Sequence, residues 1–175
     1  FNLDDGKQLR YNDTRKFGRM KLVSLDNYAN ELPLSKLGPE PFYADEKKLY
    51  EKLHKCNLPI KHALLDQSII AGIGNIYANE ICFAMGLDPY TPASKLTKKS
   101  VKELIEVASI ILNEAIKQGG TTIHSFSANG IDGLFQVKLK VHLQKKCSIC
   151  GGEITKEAIK GRGTYYCKKC QKRRR

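Results

Sequence analysis

An α+β fold in three stretches is predicted by three features: alternating apolar and polar residues over 1–25, helix-period apolar residues over 45–115, and two matched Cys-x-x-Cys pairs near the end of the chain. The 175 residues carry 30 Lys and Arg against 18 Asp and Glu, and 41% are hydrophobic, which suits one or two small domains. No apolar run approaches the roughly 18–20 residues of a bilayer span, and Asp4, Asp5 and Lys7 stand where a signal peptide would be apolar. These features exclude a helical membrane protein and lead us to expect a cytoplasmic one.

At the front, Lys7-Gln8-Leu9-Arg10-Tyr11 and Met20-Lys21-Leu22-Val23 alternate as strands do, with Asp4-Asp5-Gly6 as a hairpin turn. Phe1 falls inside this pattern, and two or three strands bury no core alone, so a sheet missing its other members is expected. Pro33 and Gly38-Pro39-Glu40-Pro41 mark a linker. Helices are predicted over 45–56 and over Lys61 to Ile70. A Gly72-Ile73-Gly74 turn then leads into a third helix from Asn75 through Met85.

Backbone amides at the start of that third helix are unsatisfied donors, so Asn75 there suits a phosphate; as a dinucleotide fingerprint the Gly-x-Gly lacks a preceding strand and a third glycine. Ser100 with Glu103 reads as a capping box for a fourth helix. Val101, Leu104, Ile105, Ala108, Ile111, Leu112 and Ala115 share its core face, and Gly119-Gly120 end it. A mobile loop over Thr121 to Phe135 and a strand over Gln136 to Leu143 follow. His54, His62, His124 and His142 have no partner at ligand spacing and read as satisfied surface or core residues.

Six cysteines divide into two groups. Cys56 and Cys82 stand alone and read as packing residues. Cys147-Ser-Ile-Cys150 and Cys167-Lys-Lys-Cys170 have the spacing of a four-thiolate zinc site, in which two tight turns aim four sulfurs at one ion. With every position filled by sulfur, one Zn²⁺ is expected to be structural. Between the pairs, Glu153–Lys156 and Thr164–Tyr166 read as strands of a ribbon, with a turn at Lys160-Gly161-Arg162-Gly163 that pushes Arg162 outward.

The charge is concentrated at this end. Residues 1–135 hold 17 basic and 16 acidic side chains and residues 136–175 hold 13 and 2, so nearly all of the formal +12 sits in the ribbon. Such a field attracts polyanions, nucleic acid first among them. Lys172 to Arg175 read equally well as a solvated tail.

Taken in order, several motifs resemble the bacterial formamidopyrimidine-DNA glycosylase family, which removes oxidised purines such as 8-oxoguanine. They are Leu9 through Gly18, Ile60-Lys61 through Asp66-Gln67 to Gly72 through Glu80, Gly119-Gly120-Thr121-Thr122, and Gly161-Arg162-Gly163-Thr164 with Tyr166-Cys167 and Cys170-Gln171. The resemblance implies part of an N-terminal β-sandwich over 1–41, a helix-two-turn-helix domain over 42–135 with a lid over the extruded base at 122–135, and a zinc β-ribbon over 136–175. It also implies that Lys61, Asn75 and Arg162 grip phosphates flanking a lesion, while Arg15 and Phe17 enter the duplex as the damaged nucleotide swings out. In the family Arg162 is further assigned proton donation in the last elimination, although an arginine's high pKa makes that role indirect.

The family's nucleophile is the amine of an N-terminal proline, supported by a glutamate and a lysine. This chain starts at Phe1 without them, and is expected to be the later part of such an enzyme, binding damaged double-stranded DNA as a monomer without cutting it. Val141-His142-Leu143-Gln144 also departs from the family's aromatic-Gly-Arg pattern. Two other readings fit less of the chain: an endonuclease VIII-like glycosylase for oxidised pyrimidines, and a non-enzymatic zinc-ribbon module that binds nucleic acid.

Overall fold

A computed structural model describes residues 1–13, 16–120 and 138–174, and divides the chain into two compact units, Phe1–Ser35 and Lys36–Arg175. In the first unit the turn expected at Asp4-Asp5-Gly6 forms. Leu3 N–H donates to Lys7 O at 2.9 Å, Leu9 N–H to Phe1 O at 2.8 Å, and Gly6 takes φ 76°. The strands predicted around it do not form among the described residues, where pairing is limited to one isolated bridge, Asn2 to Gln8. None of the unit's described residues is buried, and a lone hairpin with neither face covered does not hold a ladder.

The second unit is built on four helices. Asp45 caps α1 (Glu46–His54) by accepting the Lys48 N–H at 2.8 Å, and Leu49 and Leu53 face the core. Helix α2 (Ile60–Leu65) is shorter than the span to Ile70 that its apolar residues predict. Asp66 ends it by accepting both the backbone N–H and the hydroxyl of Ser68, at 2.9 and 2.6 Å, a local turn that competes with the helix. The Gln67 amide then ties the following turn, accepting from Gly72 N–H at 2.9 Å and donating to Ile73 O at 3.1 Å. Gly72, at φ 85°, makes the sharp bend that aims α3 (Asn75–Ala84).

Helix α4 (Lys98–Lys117) starts before the capping box expected at Ser100 and Glu103. Thr97 is the cap, its hydroxyl accepting the Ser100 N–H at 3.2 Å, so Ser100 and Glu103 lie inside the helix. Gly119 and Gly120 close it as expected: their N–H groups reach back to Ile116 O at 3.0 Å and Ala115 O at 2.8 Å. Val101, Leu104, Ala108 and Leu112 of α4 join Leu49, Leu53, Ile60, Leu64, Ile73 and Ile81 in the main core. A fully buried side chain such as Leu104 contributes about 1.5–3 kcal/mol there.

The ribbon pairs β1 (Thr155–Ile159) antiparallel with β2 (Arg162–Tyr166), in register from Thr155 opposite Tyr166 to Ile159 opposite Arg162. Both strands run closer to the turn than predicted, β1 also starting two residues later, and the turn is only Lys160-Gly161, both left-handed at φ 46° and 77°. Arg162 therefore opens β2 instead of sitting at the tip. Helix α3 is apolar almost all round because it is buried twice, Ile81 and Cys82 in the main core and Phe83 in a second cluster with Val141, Cys147, Tyr165 and Cys167. No helix among the described residues is long and apolar enough to cross a membrane.

Candidate metal centre and nucleic-acid interface

The metal centre follows from the two knuckles. Gly152 O accepts the Cys147 N–H at 2.7 Å, Cys147 O accepts the Gly151 N–H at 2.9 Å, and Gly151 takes φ 69°, closing the first turn. In the second, Gln171 accepts the Cys167 N–H at 2.8 Å and donates to Leu87 O at 2.9 Å, fixing that knuckle to the loop after α3. The Sγ atoms of Cys147 and Cys170 lie 3.7 Å apart and those of Cys150 and Cys167 3.6 Å, with all four within 4.8 Å of one another. Sulfurs about 2.3 Å from a shared zinc sit about 3.8 Å apart at the corners of a tetrahedron, so the donor set fits the ion. The six cysteines are all free of disulfides, and Cys82 is buried in the core as expected.

The strand expected over Gln136 to Leu143 is absent from its described part, 138–143. Instead the chain wraps the Glu80 carboxylate, which accepts the N–H groups of Lys140, Val141 and His142 at 2.9, 3.0 and 2.8 Å. The departure at Val141–Gln144 thereby becomes a turn, with Gln144 N–H bonded to Val141 O at 3.2 Å and Leu143 at φ 62°. Beside it, Asn79 Nδ2 lies 2.7 Å from His142 Nδ1, and Asn79 Oδ1 accepts the Tyr165 N–H at 3.4 Å. Burial, and then the charge of Lys61, push the His142 imidazole down to about 4, so it is neutral and accepts from Asn79. The C-terminal residues are anchored rather than loose through Arg174: its guanidinium bonds Ser100 and approaches Glu103 at 3.8 Å, and Lys172 bridges to Leu87.

A polar, cationic corner lies where α2, α3 and β2 meet. Lys61, 1% exposed, donates from Nζ to Asn75 Oδ1 at 2.8 Å, Gly163 O at 2.8 Å and Thr164 Oγ1 at 2.9 Å. Asn75 Nδ2 also reaches Gly163 O at 3.2 Å, so both side chains grip the residue next to exposed Arg162. Gly74, the N-cap of α3, makes no side-chain cap hydrogen bond to this helix start, an end that carries partial positive charge. Burial pushes the Lys61 amine down to about 8; Cys82 works against that fall and the nearby Arg162 charge adds to it.

Of the residues predicted to touch DNA, the structure therefore brings Lys61, Asn75 and Arg162 together. Phe17 is 77% exposed in the first unit, while Arg15 and the proposed lid at 122–135 lie outside the described residues. Sequence reasoning missed Asn79, Glu80, His142, Thr164 and Gln171 as the polar seam joining helices to ribbon. The available signal was Asn79-Glu80, a polar pair inside a helix otherwise apolar on every side.

A tight helical corner that gathers Lys61, Asn75 and Arg162 beside a four-cysteine ribbon defines a class of protein in which a helical domain is joined to a zinc ribbon. Residues 37–127 match the family profile "Formamidopyrimidine-DNA glycosylase H2TH domain", and residues 144–173 match "Zinc finger found in FPG and IleRS". This chain belongs to the formamidopyrimidine-DNA glycosylase family, and its four clustered cysteines are the family's site for one structural zinc. It is 44% identical to the formamidopyrimidine-DNA glycosylase of Bacillus licheniformis, covering 99% of this chain and 65% of that protein. To the Ureaplasma parvum enzyme it is 46% identical, covering 96% and 63%. It thus spans just under two thirds of the length of these relatives.

Among solved structures, the complex between the Lactococcus lactis Fpg and an abasic site containing DNA superposes with a TM-score of 0.85 at 41% identity, covering 92% of this chain and 61% of that one. MutM in complex with carbocyclic 8-oxo-G containing DNA gives 0.84 at 40% identity, covering 92% and 60%.

Proposed function

We propose that these residues are the DNA-gripping part of a base-excision glycosylase and AP lyase for oxidised purines, acting as a cytoplasmic monomer on damaged duplex DNA. The observation that carries this reading is the convergence of Lys61, Asn75 and Arg162 at the start of α3, with no carboxylate in contact with Lys61 among the described residues. Cations and backbone amides without an acidic partner are the chemistry that takes a phosphate. The basic ribbon supplies the field that draws the duplex in, and zinc holds β2 in register with α3. Relatives solved with abasic and 8-oxo-G containing DNA support a lesion as the point of binding.

In the intact enzyme the flipped nucleotide would be attacked at its sugar by an amine, forming an imine and expelling the base before the backbone is cut by successive eliminations. A polypeptide of residues 1–175 alone is expected to bind such a duplex without forming the imine, since the attacking proline amine of the family is not one of these residues. The test is salt-dependent binding to a duplex carrying a tetrahydrofuran abasic analogue, alongside borohydride trapping on an abasic duplex. Tighter binding to the analogue than to intact duplex, with no trapped adduct, is the expected result. Equal affinity for both duplexes refutes the lesion reading, and robust trapping refutes the assignment of chemistry to other residues. A preference for thymine glycol over 8-oxoguanine duplex would move the substrate to oxidised pyrimidines.

A further inference from the structure

All three donors of the Lys61 ammonium go to neutral protein acceptors, Asn75 Oδ1, Gly163 O and Thr164 Oγ1, so none is left to reach a ligand directly. The ionisable groups whose charges reach it are Cys82 on α3, Arg162 on β2 and His142 ahead of the ribbon. None is an anion at neutral pH. Burial pushes the Cys82 thiol up to about 12, His142 is held neutral, and Arg162 is itself a cation. A buried ammonium beside a guanidinium, with no carboxylate in contact among the described residues, is a charge whose counter-ion must come from outside.

We infer that Lys61 is a positioning residue and not a phosphate ligand: it fixes Asn75 and the backbone of β2 from behind, and a DNA phosphate completes its charge, so that binding takes up a proton at this amine. The inference rests on the DNA reading above. In the free chain the amine loses its proton around pH 8; an arriving phosphate favours the charged form and raises that pH. Affinity is then level below pH 8 and weakens as pH rises past it, by up to about tenfold between pH 7 and pH 9.

The test is titration calorimetry of the chain with a duplex carrying a tetrahydrofuran abasic analogue, in buffers of different ionisation enthalpy. Uptake of about 0.7 proton at pH 8.5 and about 0.1 at pH 7 is expected. Lys61→Arg, which keeps its charge at both values, and Lys61→Met, which has none, should each abolish the uptake and the alkaline loss of affinity. A purely structural lysine would instead give variants that weaken binding equally at every pH. Wild-type binding with no uptake at pH 8.5 and constant affinity from pH 7 to 9 overturns the inference while sparing the DNA reading, and so does uptake that persists in either variant. Failure to bind at pH 7 overturns both.

Discussion

Replacing Glu80 is the sharpest test of how the helices hold the ribbon. Glu80 is 5% exposed, and its carboxylate accepts three backbone N–H groups, from Lys140, Val141 and His142. In Glu80→Leu all three donors lose their acceptor, and each buried donor left unpaired costs roughly 1–3 kcal/mol. Part of that is recovered because the chain at 138–143 can turn some amides toward water, which gives an expected loss of about 3–5 kcal/mol. Glu80→Gln keeps one oxygen, which can serve Val141 and His142, while its NH₂ confronts the Lys140 N–H; the expected loss is about 1.5–3 kcal/mol. Urea denaturation at pH 7 with zinc present measures both variants, and an unchanged slope would show that the unfolded reference is the same. A Glu80→Leu chain within about 1 kcal/mol of wild type, or a glutamine variant less stable than the leucine one, would refute the reasoning.

Three further outcomes are expected. The folded chain resists a proton on His142 that the unfolded chain accepts below about pH 6.5, so stability falls as pH drops from there toward 4; between pH 7 and 5 the loss is about 2 kcal/mol, and denaturation of His142→Gln should lack it. Removing zinc with a chelator should leave the helical circular dichroism largely intact, because the main core contains no ribbon residue, while duplex affinity falls at least about tenfold with the loss of β2. Arg162→Ala should weaken binding and lower the slope of log affinity against log salt by about one, as measured by fluorescence anisotropy across a salt series.

What the sequence made legible follows from the range of the interactions involved. The four zinc cysteines, the Gly119-Gly120 helix end and the α4 core stripe are local patterns, and each lies where it was expected. The start of α4 was misplaced by three residues because Thr97 and Ser100 are both competent caps, and only the folded backbone selects the hydroxyl that meets a free N–H. The end of α2 was overrun because apolar periodicity through Ile70 outweighed the turn formed by Asp66 and Ser68. Glu80, Asn79 and Thr164 were invisible as a group because their partners lie 60 or more residues away, a distance that no local pattern spans.

That non-local seam also explains why polar residues occupy a boundary that leucines could fill at lower desolvation cost. An apolar interface would hold the helices and ribbon together but would tolerate sliding, since its energy depends on area and hardly on direction. Hydrogen bonds from three consecutive amides to Glu80, and from Lys61 to both Asn75 and β2, fix orientation as well as distance. The proposed grip on phosphates needs that precision: Arg162 lies on a two-stranded ribbon too small to be stable alone, while Asn75 belongs to a helix packed mainly in the helical core, with Phe83 reaching the ribbon. Joining them through buried polar contacts gives two weakly related pieces of chain one rigid spacing, and Lys61, at the centre of that joint, links the spacing to the charge of whatever binds there.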